Sequence, residues 1–416
     1  MQTAATVGGD RTSVRLTRSY WGRALRSVWT VAGVIFLLYG WWLFVFFRSG
    51  HDVHEFPLVE RRYAQQSHLS STIKFGPHYH FAAPGRSYDG QFFYFLALDP
   101  VNARYYLDTP SYRYTKILYP LTARFLALGR SDLIPYTLIL VNWLAMAGGT
   151  LAVAAWLRRR KVSPWFALIY GLYPGLFTAF QRDLTEPMAY ALIALAVYLF
   201  DFGGRRRLLW SGLVFSLAVL TRDKSAVFAT IYGLALLLDG IAATKPADWV
   251  ERIVANVPRA ALLLGLAGIP MLLYKVFLHF WLGSAGFTPY EAAPLAGVLT
   301  SLSLGDRVVE TLSVYFPALI CGSLGVWALW KRLWHAPIFL LLVSIDLGLI
   351  TLNPGYFIDP FGMLRVGTAV VLAALYCIPL FDRLTGRNRM WLLGSAACWL
   401  WLTASWLILG FILLAG

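Results

Sequence analysis

A carboxylate followed by glycine opens the segment of this chain that is best suited to chemistry. Asp89 precedes Gly90, which reaches backbone conformations closed to other residues, so a sharp bend would present the carboxylate. Gln91 adds a hydrogen-bond donor and an acceptor, and an aromatic run over 92–98 follows. Such a carboxylate can take a proton from a hydroxyl group or bind that group. The alternative is an Asp-Gly turn that caps an interfacial helix.

A second group of ionisable residues surrounds a predicted helix start. Arg182, Asp183 and Glu186 lie within five positions, and Pro187 suits the first turn of a helix. If these residues are functional, the two acids would bind an acceptor or a metal, and Arg182 would bind a phosphate group. Helix capping explains the same residues.

A third group places two cations around one acid. Arg222, Asp223 and Lys224 stand between short apolar runs, and this set suits a phosphate or diphosphate leaving group. Cationic side chains that extend from a helix end toward the membrane surface would give the same pattern. Arg365 is a similar candidate for contact with a lipid phosphate.

Histidines offer a metal site as a further alternative. His78 and His80 would lie on one face of a strand, which is a geometry that two metal ligands can use. The spacing fixes no third ligand. The cofactor requirement is therefore open, with a divalent cation as one alternative.

The composition indicates a membrane protein. Of the 416 residues 58% are hydrophobic and 14% are charged, whereas soluble domains carry about 25% charged residues. The net charge of +15 comes from basic clusters between apolar runs. That arrangement is typical of cytoplasmic loops and argues against nucleic acid as a partner.

Eleven apolar runs predict an all-α polytopic membrane protein, since a span needs about 20 residues. Basic connections alternate with mixed ones, which places the N-terminal tail (1–27) in the cytoplasm and the long loop 48–132 outside the plasma membrane. That loop holds Asp89 and two predicted interfacial helices, over 92–98 and 115–128. One membrane domain, 1–416, is the simplest division. The runs lie near 28–47, 133–157, 163–180, 188–202, 208–221, 225–243, 258–282, 312–331, 336–352, 365–381 and 391–414.

No cytoplasmic segment is large enough for a soluble nucleotide-sugar domain, and the chain has no Walker A, GxSxG or HExxH motif. An enzyme of this shape needs an activated substrate that is already in the membrane. Lipid-phosphate sugars meet that need.

Several short motifs resemble the GT-C superfamily of polytopic glycosyltransferases, in particular a bacterial group of mannosyltransferase-like enzymes of cell-surface glycopolymer formation. The resemblance covers about residues 85–230, and the rest agrees in topology. One departure is that many such enzymes carry two adjacent acids in the first outer loop, whereas glycine follows Asp89 here. The motifs are Tyr88 to Tyr94 with Ala97, Arg113-Tyr114, Ile117 to Leu121, Thr185-Glu186-Pro187 and Leu220-Thr221-Arg222.

The resemblance implies inverting transfer of a mannose- or arabinose-like sugar from a polyprenyl-phosphate donor to a glycan, lipid or protein acceptor outside the cytoplasm. Asp89 would be the catalytic carboxylate, as a base or a metal-linked equivalent. A lipid-glycan flippase or transporter and a non-catalytic component of envelope-polymer assembly are the alternatives. The substrate-binding candidates are Tyr88, Gln91, Arg113, Arg182, Asp183, Glu186, Arg222, Asp223, Lys224 and Arg365.

Overall fold

The structure is a computed structural model that describes residues 27–66, 75, 79–83, 87–241, 245–286, 303–347, 360–382 and 388–415. These residues form helices and no strand, apart from one isolated bridge between Glu60 and Ala82. A π-helical segment, Thr311–Tyr315, joins the helices numbered 13 and 14 below. The helices are α1 Val28–Arg48, α2 Arg61–Gln66, α3 Gly90–Leu98, α4 Pro110–Tyr114, α5 Leu118–Leu126, α6 Ile134–Arg159, α7 Ala167–Gly171, α8 Pro174–Gln181, α9 Glu186–Phe202, α10 Arg207–Thr221, α11 Ala226–Leu237, α12 Trp249–Leu282, α13 Leu304–Glu310, α14 Phe316–Trp330, α15 Ala336–Ile345, α16 Pro360–Phe381 and α17 Asn388–Ala415.

Five helices in the described part of the chain are long and apolar enough to cross a membrane. The number is six if the bent pair α9 and α10 counts as one span. The fold is therefore all-α and carries several apolar helices suited to a membrane, as the composition predicts. The five are Val28–Arg48, Ile134–Arg159, Trp249–Leu282, Leu304–Trp330 and Phe361–Phe381.

Several other runs that were predicted as spans form shorter helices. The run 163–180 is interrupted between Gly171 and Pro174, because proline donates no backbone hydrogen bond and favours the first turn of a new helix. The run 225–243 is helical only over α11, and 336–352 only over α15 within the described residues. The run 391–414 is helical throughout as part of α17.

Helices α9 and α10 form a hairpin. Gly203 and Gly204 separate them, with Gly204 at a φ of +67°, and the chain bends by 118° between the two helix axes. The Ser211 hydroxyl of α10 donates a hydrogen bond of 2.9 Å to the Ala196 carbonyl of α9. The hairpin brings the start of α9 and the end of α10 to the same end of the bundle.

The segment between α1 and α6 has a hydrophobic core of its own. Every residue of α3 is buried in it, so this helix lies inside the protein and the prediction of an interfacial helix over 92–98 is wrong. Its aromatic residues pack against protein side chains such as Tyr63, Tyr106 and Tyr119. In contrast, α5 leaves Phe125 76% exposed, as a helix at a membrane surface would.

Polar residues occur at both ends of the same helices. Helix α9 carries Glu186 at its start and Asp201 near its end, about 22 Å apart at 1.5 Å per residue. Helix α10 begins at Arg207, and Arg222 follows its last residue at the other end. The bundle therefore positions two separate polar regions, one at each end.

Candidate functional site

Asp89 precedes the first residue of α3 but does not cap it. Its side chain makes no capping hydrogen bond. Instead, one carboxylate oxygen lies 2.9 Å from a terminal nitrogen of Arg113, and the other lies 3.9 Å from a terminal nitrogen of Arg365. The carboxylate, 32% exposed, is thus oriented by side chains from two distant parts of the sequence.

Arg113 is fixed by a second carboxylate. Asp108 accepts hydrogen bonds from the Nε and Nη2 atoms of Arg113 at 2.9 and 2.8 Å. The guanidinium also lies over the Phe92 ring, 4.3 Å from its centroid. Arg113 is only 7% exposed, and Pro110 begins the short helix α4 that carries it. The guanidinium therefore keeps its place whether or not Asp89 is charged.

Glu186 joins two arginines at the centre of the cluster. Its Oε1 atom lies 2.7 Å from Arg222 and 2.7 Å from Arg365. Its Oε2 atom is buried with no hydrogen-bond partner among the described residues. Glu186 is completely buried. Arg365 also contacts Asp89, at 3.9 Å. The chain of ion pairs therefore runs Arg113, Asp89, Arg365, Glu186, Arg222, and Asp89 is its accessible carboxylate.

Two lysines add positive charge beside this chain of ion pairs. Burial lowers the pKa of Lys116 to about 8, although the nearby Asp89 acts in the opposite direction. Burial, followed by the neighbouring Arg222 and Lys116, lowers the pKa of Lys224 to about 7. The Lys116 ammonium lies 3.7 Å from the centroid of the Tyr112 ring. Since arginines and lysines outnumber carboxylates here, the site suits an anionic group.

The pKa values of Asp89 and Asp183 are shifted in opposite directions. Burial alone would raise the pKa of Asp89, but Arg113, Arg365 and Lys116 outweigh it and bring that pKa down to about 2. Burial raises the pKa of Asp183 well above its usual range. Neither Asp183 oxygen accepts a hydrogen bond from another described residue, and the nearby Tyr119 hydroxyl donates to the Leu138 carbonyl instead. The surroundings therefore favour the ionised form of Asp89, whereas burial disfavours the ionised form of Asp183.

The remaining candidates divide into two sets. The Tyr88 ring lies 5.2 Å from the Arg365 guanidinium. The Asp223 carboxylate is close enough to oppose the lowering of the Lys116 and Lys224 pKa values by burial, so both Tyr88 and Asp223 belong to this group. Gln91 is buried and accepts from the Glu60 backbone at 3.0 Å. Arg182 donates to the Glu55 carbonyl at 3.4 Å. These two hydrogen bonds connect Gln91 and Arg182 to the segment 55–60. Neither bond involves a residue of the ion-pair chain.

The proposed histidine pair has no structural counterpart that can be described. His78 lies outside the described residues, and His80 is exposed. No group of three or more His, Cys, Asp or Glu side chains with metal-binding geometry occurs in the described part of the chain.

Gly90 is required for close approach of two backbones. Its φ is not in the left-handed region, so the expected unusual bend is absent. A Cβ atom at this position would lie 1.9 Å from the Arg182 carbonyl oxygen and 3.2 Å from the Pro57 Cα atom. Asp183, at a φ of +48°, completes the turn that packs against Gly90. Glycine thus allows the Asp89 segment and the turn before α9 to meet.

Gly90→Ala is expected to destabilise the protein by about 1–3 kcal/mol, since backbone atoms must move to accept the methyl group. Thermal unfolding of the purified protein in detergent measures this change. Gly33→Ala is the matched control because a Cβ there meets no atom within 4 Å inside α1. That variant should be as stable as the wild type or more stable. Equal stability of the two variants would contradict the steric role of Gly90.

Two site residues were not among the sequence candidates. Asp108 fixes Arg113, and Lys116 lies buried beside Asp89. A signal for Lys116 was present, because it follows Arg113 by three positions and directly precedes the apolar run 117–121. Asp108 had no distinguishing signal, since an acid before a proline-started helix is common at helix N-termini.

The fold and site define a helical protein with membrane-suited helices and a buried ion-pair network. Searches with this chain against protein-family models, curated proteins and solved structures gave no match.

Proposed function

We propose that the protein is a GT-C-like glycosyltransferase of the plasma membrane. It moves a mannose- or arabinose-like sugar from a polyprenyl-phosphate donor to a glycan, lipid or protein acceptor. The observation that supports this most is the accessible Asp89 carboxylate beside buried cations. Such a transfer needs a carboxylate that binds the acceptor hydroxyl and takes its proton. It also needs cations that stabilise the negative charge of the phosphate leaving group.

In this proposal, the lysines bind the phosphate of the donor. Glu186 already neutralises much of the charge on Arg222 and Arg365, which contact it at 2.7 Å. Lys116 has no carboxylate within ion-pair distance among the described residues, and its ammonium faces the same cluster. Lys116 and Lys224 therefore take the donor phosphate, while the two arginines support the site.

In the transfer, the acceptor hydroxyl oxygen attacks the anomeric carbon as the bond from that carbon to the phosphate oxygen breaks. Asp89 accepts a hydrogen bond from the hydroxyl and takes its proton. A carboxylate with a pKa of about 2 is a weak base, so it orients the hydroxyl first and receives the proton only once the new bond has acidified it. The polyprenyl phosphate leaves as an anion held by the lysines.

The proposal includes eleven spans with a cytoplasmic N-terminus. Helices α9 and α10 are then two separate short spans, and the chain turns by 118° between them. Helices of 17 and 15 residues reach about 25 and 22 Å at 1.5 Å per residue, close to a thinned hydrocarbon core. The cluster at the start of α9 would face the outside.

Lipid and glycan profiling of a deletion strain tests this function. We expect polyprenyl-phosphate sugar to accumulate and a surface glycan to be truncated. Complementation with wild-type protein should reverse both changes. A normal donor pool with an accumulated, untransferred lipid-linked glycan would instead support a flippase. Unchanged donor and glycan pools would contradict the transferase proposal.

Donor binding is expected to weaken as the pH rises through 7 and 8. Lys224 and Lys116 lose their protons in that range, since their pKa values are about 7 and 8, and each then stops attracting the phosphate. The KM for the donor should rise by about tenfold for each ammonium group lost. Steady-state kinetics between pH 6 and pH 9, with membrane-reconstituted protein, measure this.

Lys224→Arg should show a shallower pH dependence, because the guanidinium stays protonated throughout. Lys224→Gln should have a raised KM already at low pH. A wild-type KM that is constant over the whole range would contradict the role of the lysines.

A further inference from the structure

A cavity lies at the end of α9 and α10 opposite to Glu186 and Arg222. Its volume is about 970 Å³, which is within the range of small-molecule sites. Asp201 and Arg207 line it from α9 and α10, whereas Glu186 and Arg222 belong to the other ends of the same hairpin. This cavity is therefore separate from the Asp89 site.

Two buried phenols line the cavity. The side chains of Tyr232 and Tyr376 are 2% and 0% exposed, and neither hydroxyl has a hydrogen-bond partner among the described residues. Burial of a hydroxyl without a partner is unfavourable, and native proteins rarely leave one in that state. Because both residues also line the cavity, their hydroxyls are available to donate to a polar group bound there.

The cations that line the cavity outnumber its carboxylates by one, with Arg160, Lys161, Arg207 and Arg259 against Asp201, Asp239 and Asp382. Asp239 forms an ion pair with Arg259. Asp201 is already satisfied, since it accepts from Trp156 Nε1 at 2.7 Å and from Arg160 at 2.6 Å. Lys161 and Arg207 also line the cavity, and neither has a carboxylate within ion-pair distance in the described part of the chain. The cavity thus offers phenolic hydroxyls and two cations, Lys161 and Arg207, that form no ion pair with a described carboxylate.

One wall of the cavity is apolar and open. Leu234 and Leu238, at the end of α11, line it and are 45% and 53% exposed. Ile231 and Val343 extend the apolar lining. A ligand held at its polar end by the cations and phenols can therefore leave a hydrocarbon chain along this surface.

We propose that this cavity binds the phosphate headgroup of a membrane lipid, with the lipid chains lying along α11. The lipid phosphate contacts Arg207 and Lys161 and accepts hydrogen bonds from Tyr232 and Tyr376. This site goes beyond the proposed transfer reaction, because it uses none of the residues around Asp89.

Binding is measured by calorimetric titration of the full-length protein in non-ionic detergent. Three probes separate the sources of affinity: dioctanoyl phosphatidic acid, dioctanoylglycerol and inorganic phosphate. We expect saturable binding of the phosphatidic acid and much weaker binding of the other two. Comparable binding of dioctanoylglycerol would overturn phosphate recognition, and comparable binding of inorganic phosphate would overturn the lipid assignment.

Substitutions in the cavity lining test whether the phosphatidic acid binds there. Tyr232→Phe and Tyr376→Phe should each raise the Kd for phosphatidic acid about three- to tenfold, and Arg207→Gln about tenfold or more. Tyr173→Phe is the matched control, because that hydroxyl is equally buried and without a hydrogen-bond partner among the described residues but does not line the cavity. Unchanged affinity in all three cavity variants would overturn the site. Asp89→Asn should leave this binding intact even where sugar transfer is lost, so the two proposals can fail separately.

Discussion

Asp89→Asn is expected to reduce sugar transfer by about 10²- to 10⁴-fold while the protein still folds and inserts. The amide is neutral, so it cannot take the proton of the acceptor hydroxyl. Folding should survive because Arg113 keeps both of its hydrogen bonds to Asp108, at 2.9 and 2.8 Å. Transfer from radiolabelled polyprenyl-phosphate sugar to the acceptor fraction measures the loss.

Asp108→Asn is the matched control for Asp89. Both carboxylates contact the same arginine, and both side chains are 32% exposed. Only Asp89 also approaches Arg365 and the rest of the ion-pair chain. The Asp108 variant should therefore lose far less transfer than the Asp89 variant. Wild-type transfer by Asp89→Asn would refute its catalytic assignment.

Glu186→Gln is expected to destabilise the protein by about 3–5 kcal/mol, because it leaves two buried guanidinium groups without their carboxylate. Arg222 and Arg365 are 8% and about one-seventh exposed, so water cannot replace the lost charge. Arg365 retains only the longer contact with Asp89, at 3.9 Å. Thermal or denaturant unfolding of the purified protein gives the change in free energy of unfolding.

Asp132→Asn provides the comparison for Glu186, since it removes an ion pair whose side chains are 63% and 62% exposed. An exposed pair of this kind contributes about 1 kcal/mol or less. Adding Arg222→Gln to the Glu186 variant should recover part of the loss, because one unpaired buried charge disappears. Wild-type stability of Glu186→Gln, or no recovery in the double variant, would contradict the account of the network.

The sequence was sufficient to single out Asp89, Glu186, Arg222 and Arg365, because charges beside apolar runs are costly and therefore conspicuous. It could not show that both arginines contact the same oxygen of Glu186. The contact between Arg365 and Glu186 joins residues 179 positions apart, and no local pattern encodes it. The pairing moves the phosphate contact in our proposal from the arginines to the lysines.

Local sequence patterns gave wrong predictions where tertiary packing determines the environment of a residue. The aromatic composition of α3 fits a membrane interface and a protein core equally well, and the helix is fully buried. Gly90 was correctly singled out, but its role is a close contact with the Arg182 carbonyl. Helix limits were accurate for α6, predicted over 133–157 and observed over Ile134–Arg159, since a long apolar run allows few alternatives.

The position of Arg365 in the chain has a consequence for biosynthesis. Synthesis proceeds from the N-terminus, so Asp89 and Glu186 leave the ribosome well before the helix that carries Arg365. Until α16 inserts, Glu186 has Arg222 as its arginine partner and Asp89 has Arg113. A product truncated before α16 would therefore keep one arginine on each of these carboxylates but lack the Arg365 side chain that joins the two ion pairs into one network.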